Sequence, residues 1–493
     1  MVYTSLCQLL IEQRLRGAFL MMINKEMYKK LLLLFIIVQP VLDILTFFSI
    51  KQFDSSLTIG IIVRVLFMGL SLLFIFFGNS STYKKYVIPY LLILFAAVGI
   101  GLVYNFFDKP VFEPFLELQF LAKTLYFIIM FCSYLLLFTN KDQMDETKLD
   151  ILKSLTIAML IVSLTMFLSI VTGTASNTYE YGKFGFKGWF FSGNEISSII
   201  AISFPLVYLY SLKKMDNFKQ WYYFIPVLLL AIVSILIGTK VSYFAVLGAS
   251  IIIVFSYVVW WLASLIKKAK NHTVNLRLIM SLVFLILFGA ITPLSPSFTN
   301  VAGDVGKISE EKAKQQEEKD KGGDSEGGMS PEGEPAPDEG DIDEDVSLIE
   351  SPVLRILLSS RNLFFANTLE QYKNADLVQK SFGMGYAGNY KENRKLIEMD
   401  FFDLFFSYGI IGSLLLFMPF ITLAFLFIKR LFTMPLRVIT PENVLLFVAI
   451  GMGSGIAFLA GHVLYAPAVN IYLALPMVLM IINLLHARSH KLS

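Results

Sequence analysis

The sequence predicts an all-α, polytopic membrane protein with about 12 transmembrane helices and a large extracytoplasmic loop before the tenth helix. Of its 493 residues, 56% are hydrophobic and only 16% are charged, whereas soluble domains carry about 25% charged residues. Apolar runs of about 20 residues, the length of a helix that crosses a bilayer, recur along nearly the whole chain. The sequence does not show the alternating strands of a transmembrane barrel.

Residues 1–30 are the predicted N-terminal segment and lack the short apolar core and cleavage site of a signal peptide. The loop charges place this segment in the cytoplasm. Residues 31–292 are expected to hold helices 1–9, residues 400–485 helices 10–12, and residues 486–493 a cytoplasmic tail. The predicted spans are 31–50, 58–77, 86–105, 115–138, 149–172, 189–210, 222–238, 241–265, 276–292, 400–428, 442–460 and 463–485.

The distribution of lysine and arginine over the loops predicts the orientation, because cytoplasmic loops carry an excess of both residues. If the N-terminus is cytoplasmic, every inner loop is basic, as at Lys84 and Lys85 or at Lys213 and Lys214. The short outer loops hold only isolated lysines. We therefore expect a multi-pass protein of the cell (cytoplasmic) membrane with both termini in the cytoplasm and the long loop at 293–399 outside.

This large outer loop divides into two parts. Residues 303–345 are rich in Gly, Glu, Asp, Lys and Pro, so they are expected to be disordered as a solvated tether; alternatively, the acidic tract binds cations. Residues 347–399 are expected to be ordered and catalytic. Up to Tyr372, apolar residues recur at three- and four-residue steps, which predicts an amphipathic helix on the outer membrane surface.

Three ionisable residues, Asp43, Arg64 and Lys123, lie within predicted spans. Charges in hydrocarbon are costly and usually face the protein interior or a watery cavity. Asp43 and Arg64 lie at similar depth on consecutive helices, which predicts a mutual ion pair. Lys123 has no obvious partner and is a candidate to line a cavity open to the outer face.

The outer loop at 173–195 combines glycines with aromatic residues, among them Tyr179, Tyr181 and Trp189. Such residues form either a membrane-interface belt or, when mixed with Gly, Asn and Glu, a platform that stacks on sugar rings. The sequence leaves both interpretations open. The next outer turn ends at Lys240, which by itself is typical of a lysine that snorkels to the interface.

Five short stretches, taken in order, resemble one family. They are Gly188–Glu195 (GWFFSGNE), Ile237–Lys240 (IGTK), Leu358–Arg361 (LSSR), Gly383–Tyr386 (GMGY) and the stretch from Glu398 to Gly412, which closes with YGIIG. They are similar to elements of the O-antigen ligase and O-antigen polymerase superfamily, a group of polytopic glycan-transferring membrane proteins. Their order and spacing, the number of spans and the outward loop agree with this family over roughly residues 30–485.

The chain departs from the family pattern at several positions. Many members carry a His-Asn pair where Glu398 and Met399 stand here, Lys240 replaces an arginine, and Ser360 replaces a glycine. A histidine is therefore not expected at that place, and the general base is expected to be a carboxylate. The four histidines are scattered and the two cysteines indicate no metal site, so neither a metal nor a cofactor is predicted.

The resemblance implies that a glycan carried on undecaprenyl diphosphate, the bacterial polyprenyl carrier, is transferred to an acceptor hydroxyl at the outer membrane face. Arginine binds phosphate oxygens bidentately, so the predicted diphosphate clamp is Arg355 and Arg361, with Lys240. Alternatively, the two arginines pair only with lipid headgroups. The remaining predicted substrate-binding residues are Asn194, Lys123 and Trp189.

A carboxylate within hydrogen-bond reach of the acceptor hydroxyl can take its proton. The predicted catalytic residues are Glu398 first, Asp400 second and Asp403 third. Alternatively, these acids cap the first turn of the tenth span, where the helix dipole favours negative charge.

Among glycan-transferring proteins, a polymerase for surface polysaccharide or exopolysaccharide is favoured over a ligase that moves finished glycan to a lipid or protein acceptor. The Lys-, Ile- and Phe-rich composition is typical of low-GC bacteria, many of which lack the lipid A acceptor. The alternatives from other classes are a transporter or flippase for lipid-linked oligosaccharide and a purely structural membrane subunit. The expected partners are the lipid-linked donor, the glycan acceptor, the bilayer and other polysaccharide-assembly proteins, without nucleic acid.

Overall fold

The computed structural model describes residues 24–53, 58–78, 81–138, 143–266, 272–303, 306, 361–391 and 395–486. Within these ranges, 11 helices are long and apolar enough to cross a membrane, and a further span is a pair of helices bent by 40°. The all-α polytopic fold is confirmed, and each predicted span overlaps an observed one. The division into domains and the orientation in the membrane stay predictions.

The spanning elements begin and end close to the predicted limits. They are α1 Lys25–Phe53, α2 Ile59–Phe77, α3 Lys84–Asp108, α4 Pro114–Leu137, α5 Met144–Val171, α6 Gly193–Lys214, a 3-10 helix Phe218–Phe224 that continues as α7 Ile225–Leu236, α8 Lys240–Ile266, α9 His272–Ile291 with a 3-10 helix Thr292–Leu294, α12 Asp400–Leu416 with α13 Met418–Thr433, α15 Pro441–Leu459, and α16 Pro467–His486. The shorter elements are β1 Ser176–Asn177, β2 Phe186–Gly188, α10 Arg361–Asn374, α11 Leu377–Phe382 and α14 Pro435–Val438.

Local sequence sets several helix starts. The side chains of Thr58, Ser192 and Thr440 each accept a hydrogen bond from a backbone N–H in the first turn of the following helix. Pro114 and Pro441 occupy first helical positions, where the missing proline N–H has no helical partner to lose. These signals explain why the helix starts agree with the hydropathy pattern.

Helices α6 and α16 form the centre of the bundle. Both are buried along nearly their whole length, whereas α9 is mostly exposed. Helix α6 packs against α5, α8 and α15, and α16 packs against α4, α13 and α15. The outer helices expose large apolar side chains such as Leu66, Phe107 and Ile266, as expected of a surface that lipid covers.

The predicted ion pair between Asp43 and Arg64 is confirmed. Arg64 Nη2 donates to Asp43 Oδ1 at 2.5 Å, and Arg64 Nε donates to Gln39 Oε1 at 3.0 Å. Glu195, at the start of α6, is a further ionisable residue near this pair, and it interacts electrostatically with both Arg64 and Lys123. Arg64 thus donates through Nε and Nη2 to partners inside the bundle, where charged side chains are usually paired.

Consecutive spans alternate in direction, so the connections at 109–113, 172–192, 237–239 and 460–466 lie at one end of the bundle, here called the loop face. Hydrogen bonds between neighbouring connections hold this face together. The large loop returns here through α10 and α11. A helix is present over Arg361–Asn374, in the second half of the predicted stretch, but its apolar residues do not form one face. The first half of the stretch lies outside the described residues. The predicted tether lies outside the described residues, apart from positions 303 and 306.

The tenth span is interrupted at Gly409, which has φ +65° inside α12. Ahead of the break, the carbonyls of Phe406 and Ser407 accept hydrogen bonds from the N–H groups of Met384 and Gly385 at 2.9 and 3.1 Å. The Gly-x-Gly segment therefore supplies the donors that the broken helix lacks. Irregular backbone within a span is tolerated where the protein satisfies its polar groups in this way.

A buried ion pair anchors the Gly-x-Gly segment to α4. Lys109 Nζ donates to Glu117 Oε1 at 2.5 Å and to the carbonyl of Tyr386 at 2.6 Å. Glu117 Oε2 accepts from the N–H of Tyr386 at 2.8 Å. Asn105 Nδ2 donates to the carbonyl of Gly383 at 2.9 Å. Hydrogen bonds thus tie the Gly-x-Gly segment to α3 and α4, in addition to α12.

Candidate active site

Arg361, Glu398 and His462 meet on the loop face. Arg361 is the first residue of α10, Glu398 precedes α12, and His462 lies in the connection between α15 and α16. Arg361 Nη2 donates to Glu398 Oε2 at 3.3 Å, and His462 Nε2 lies 4.0 Å from the same oxygen. Three segments that are distant in sequence thus place a guanidinium, a carboxylate and an imidazole around one point.

The Arg361 guanidinium keeps donor capacity. Its side chain is 13% exposed, and its Nε is buried without a hydrogen-bond partner among the described residues. The neighbouring Asn362 Oδ1 is in the same situation. A buried polar atom that lacks a partner destabilises the fold by about 1–3 kcal/mol, and a ligand that bonds it removes that cost. A guanidinium with a buried donor left unbonded suits an anionic oxygen.

Asp400 holds the connection that carries His462. Asp400 Oδ1 accepts from the N–H of His462 at 2.8 Å. Its Oδ2 accepts from the N–H groups of Val463 and Leu464 at 2.8 and 2.6 Å. The side chain is fully buried. Asp400 thus binds the backbone of a different segment and fixes where the imidazole stands.

Asp403 holds the residues on either side of Glu398. Its oxygens accept from the N–H groups of Ile397 and Met399 at 2.8 and 3.1 Å. The Tyr465 hydroxyl also donates to Asp403 Oδ2, at 3.2 Å. The predicted catalytic roles of Asp400 and Asp403 stay predictions. What the structure shows is that both carboxylates bind backbone N–H groups on either side of the site.

The backbone is strained where the three side chains meet. Glu398 has φ +64° and His462 has φ +61°, in the left-handed region that few residues other than glycine adopt. Gly461, at φ +68°, approaches Glu398 so closely that a Cβ there would lie 2.5 Å from the Glu398 carbonyl oxygen. Such conformations each cost about 1–3 kcal/mol and persist where surrounding contacts impose them. The hydrogen bonds of Asp400 and Asp403 supply those contacts.

Burial lowers the pKa of His462 below its ordinary value, because the partly enclosed site penalises the charged imidazolium. The Arg361 guanidinium acts in the same direction, and the Glu398 carboxylate opposes both. His462 is therefore neutral at neutral pH, with a ring nitrogen free to accept a proton.

Sequence reasoning missed His462. The chain has no histidine beside Glu398 in sequence, but the fold brings one there from the connection between the last two spans. The carboxylate base stays a prediction, and His462 is a further candidate for that role. The sequence feature that could have indicated His462 is its location in the very short connection between the last two predicted spans, on the same face as Glu398.

The other predicted substrate-binding residues are dispersed. Trp189 Nε1 donates to Thr174 Oγ1 at 2.9 Å, and its ring lies 5.7 Å from that of Phe48. Asn194 is exposed at the second residue of α6. Lys123 lies half-buried in α4 and, within the described residues, makes no hydrogen bond or ion pair. Lys123 thus lies on α4, Trp189 in the connection before α6 and Asn194 on α6, and none of them belongs to the three segments that carry the Arg361 cluster.

Two further members of the predicted clamp remain. Lys240 is exposed at the first residue of α8, directly after a turn that packs against the loop at 172–192. Arg355 lies outside the described residues. Among the described residues of the predicted set, Arg361 and Glu398 are in direct side-chain contact.

Comparison with known proteins identifies a family for the chain. The family model described as O-antigen ligase like membrane protein matches residues 25–487, which is nearly the whole chain. No curated protein matches the sequence. The chain belongs to the family of O-antigen ligase like membrane proteins.

Proposed function

We propose that this protein polymerises glycan repeat units carried on a polyprenyl diphosphate, at the outer face of the cytoplasmic membrane, during assembly of a surface polysaccharide. Family membership supports a glycan ligase or polymerase role. The observation that carries the proposal is the meeting of Arg361, Glu398 and His462 on the loop face. The distribution of basic loops supports an outward position for that face.

The reaction needs a cation and a base at one point. A bond forms between the acceptor hydroxyl oxygen and the anomeric carbon of the donor, while the bond from that carbon to the diphosphate oxygen breaks. The diphosphate leaves with the bonding electron pair, and the hydroxyl proton passes to a base. Fixed cations stabilise the charge that develops on the leaving group, most strongly where water is excluded.

Arg361 is the candidate for the leaving group. Its Nη2 donates to Glu398, and its buried Nε has no partner among the described residues. Arginine presents several N–H groups in one plane and binds phosphate oxygens in pairs. The contact with Glu398 therefore orients the guanidinium before the donor arrives.

His462 is the candidate base. A neutral imidazole can take the hydroxyl proton, and Glu398, 4.0 Å away, stabilises the imidazolium that forms. This distance exceeds that of a hydrogen bond, as is frequent before substrate closes a site. Glu398 itself, the base favoured from the sequence, already accepts a hydrogen bond from Arg361. His462 is therefore the better placed of the two.

The test is the size profile of cell-surface and lipid-linked glycan from a producing strain that carries Arg361→Ala. The matched control is Lys373→Ala, which removes an exposed cation from the other end of the same helix. Single repeat units in place of long chains support a polymerase. Long chains that stay on the lipid carrier indicate a ligase instead. An unchanged profile at a normal protein level contradicts the site.

A further inference from the structure

A cavity separate from the Arg361 cluster opens on the loop face, between the C-terminal end of α1 and the loop that carries β1 and β2. Its volume is about 620 Å³, within the range of about 300–1,000 Å³ typical of small-molecule sites. Four aromatic rings line it: those of Phe47, Tyr179, Tyr181 and Phe191. Tyr181 and Phe191 are 89% and 55% exposed, so their rings are accessible to a ligand.

Polar side chains share the walls of this aromatic cavity. Lys51 and Lys187 contribute ammonium groups, Glu180 a carboxylate and Asn177 an amide. The face of an aromatic ring is electron-rich and attracts weakly positive C–H groups. Ammonium, amide and carboxylate groups bind hydroxyls. A sugar ring offers both surfaces, C–H groups on its faces and hydroxyls at its edge.

The walls are held rigidly. Thr178 Oγ1 donates to the carbonyl of Ile237 at 2.7 Å. Asn300 Nδ2 donates to the carbonyls of Phe184 and Gly238 at 2.6 and 2.9 Å, and Asn300 Oδ1 accepts from the Phe184 N–H at 3.0 Å. A preformed site loses less entropy on binding than a flexible loop does. An aromatic belt that only anchors the protein in the interface requires neither a cavity nor this fixation.

We propose that the aromatic cavity binds sugar rings of the acceptor glycan and holds the chain while repeat units are added. This assignment rests on the proposed function for its role, although binding itself does not require it. The cavity lies on the same face as Arg361 and is built from other helices. It therefore governs how long the chain is retained and leaves the bond-forming step to the Arg361 cluster.

The experiment combines binding and chain length. The full chain, purified in detergent, is mixed with oligosaccharide fragments of the producing strain's own surface polysaccharide, and binding is followed by saturation-transfer NMR. Tyr181→Ala and Phe191→Ala are each expected to weaken binding about 2- to 10-fold, the size of one aromatic contact. The control is Phe184→Ala, which removes a 72%-exposed ring of the same loop outside the cavity. It is expected to leave binding unchanged.

In cells, Tyr181→Ala and Phe191→Ala are expected to shorten the modal chain, while Phe184→Ala leaves it unchanged. Equal binding by the wild type and both cavity variants would overturn the proposal. An equal loss of binding in Tyr181→Ala, Phe191→Ala and Phe184→Ala would also overturn it, because that result indicates an interface belt. Arg361→Ala separates the two proposals, because it leaves the cavity intact and is expected to retain binding. If Arg361→Ala strains make normal glycan while binding still depends on Tyr181, the proposed function is contradicted. The proposal that the cavity binds sugar is then still supported.

Discussion

Two arginine–carboxylate pairs of the described residues, Arg64–Asp43 in the bundle and Arg361–Glu398 on the loop face, differ in how completely their hydrogen-bonding groups are satisfied. Arg64 bonds Asp43 at 2.5 Å and also bonds Gln39 through Nε, inside the bundle. Arg361 bonds Glu398 at 3.3 Å, and its Nε has no partner among the described residues. The first pair lies inside the bundle and suits a structural role, whereas Arg361 keeps a buried donor unbonded beside Glu398 and His462, which makes it the candidate to bind a ligand.

The comparison predicts that Arg64→Ala destabilises the protein most. Removing one partner of a buried pair leaves the Asp43 carboxylate uncompensated, at a cost of about 3–5 kcal/mol. The measurement is thermal unfolding of the detergent-purified protein together with its level in the membrane. Arg361→Ala is the matched comparison and is expected to change the stability by less than about 1 kcal/mol. Equal destabilisation by both variants would break the distinction between the pairs.

Arg361→Ala should instead act on glycan transfer. Loss of a group that stabilises developing charge typically lowers the rate about 10²- to 10³-fold. Arg361→Lys is expected to recover only part of the rate, because an ammonium group cannot bind two phosphate oxygens in one plane. Initial rates with lipid-linked repeat units and purified protein test this. Full activity of the Arg361→Ala protein would show that its unused donor is not catalytic.

Asp400→Asn is expected to disturb both stability and activity to a smaller extent. The amide cannot accept from all three backbone N–H groups that the carboxylate now binds, and each loss costs about 1–3 kcal/mol. The His462 connection then moves away from Glu398. The check is unfolding combined with transfer rate, with Glu370→Gln on the exposed face of α10 as control. Unchanged activity would mean that the position of His462 does not matter.

The smallest effect concerns pH. His462 must be neutral to accept a proton, and burial and Arg361 lower its pKa while Glu398 opposes them. Transfer is therefore expected to be constant at and above pH 7 and to fall only as the pH drops below about 6.5, the ordinary histidine value. His462→Gln should remove this acid limb from the residual rate, whereas the exposed His272→Gln on α9 should retain it. If the fall in rate at low pH persists in His462→Gln, Glu398 and not His462 is the general base.

Sequence reasoning was most successful where the determining physics is local. Span positions follow from the length of apolar sequence that a bilayer requires, and the Asp43–Arg64 pair follows from equal depth on neighbouring helices. The Gly-x-Gly segment and the helix that contains Gly409 were also recognised, each as a separate stretch. Their mutual hydrogen bonds were not, because no local pattern states that one segment supplies donors to the other.

The sequence by itself therefore determined the membrane fold, the family and two members of the candidate site, Arg361 and Glu398. Only the tertiary structure decided that His462 joins them. Its position depends on three backbone hydrogen bonds to Asp400, from a segment far away in sequence, and on the close approach of Gly461 to Glu398. Hydropathy and motif spacing report on one segment at a time, whereas these contacts are properties of two segments in a folded chain.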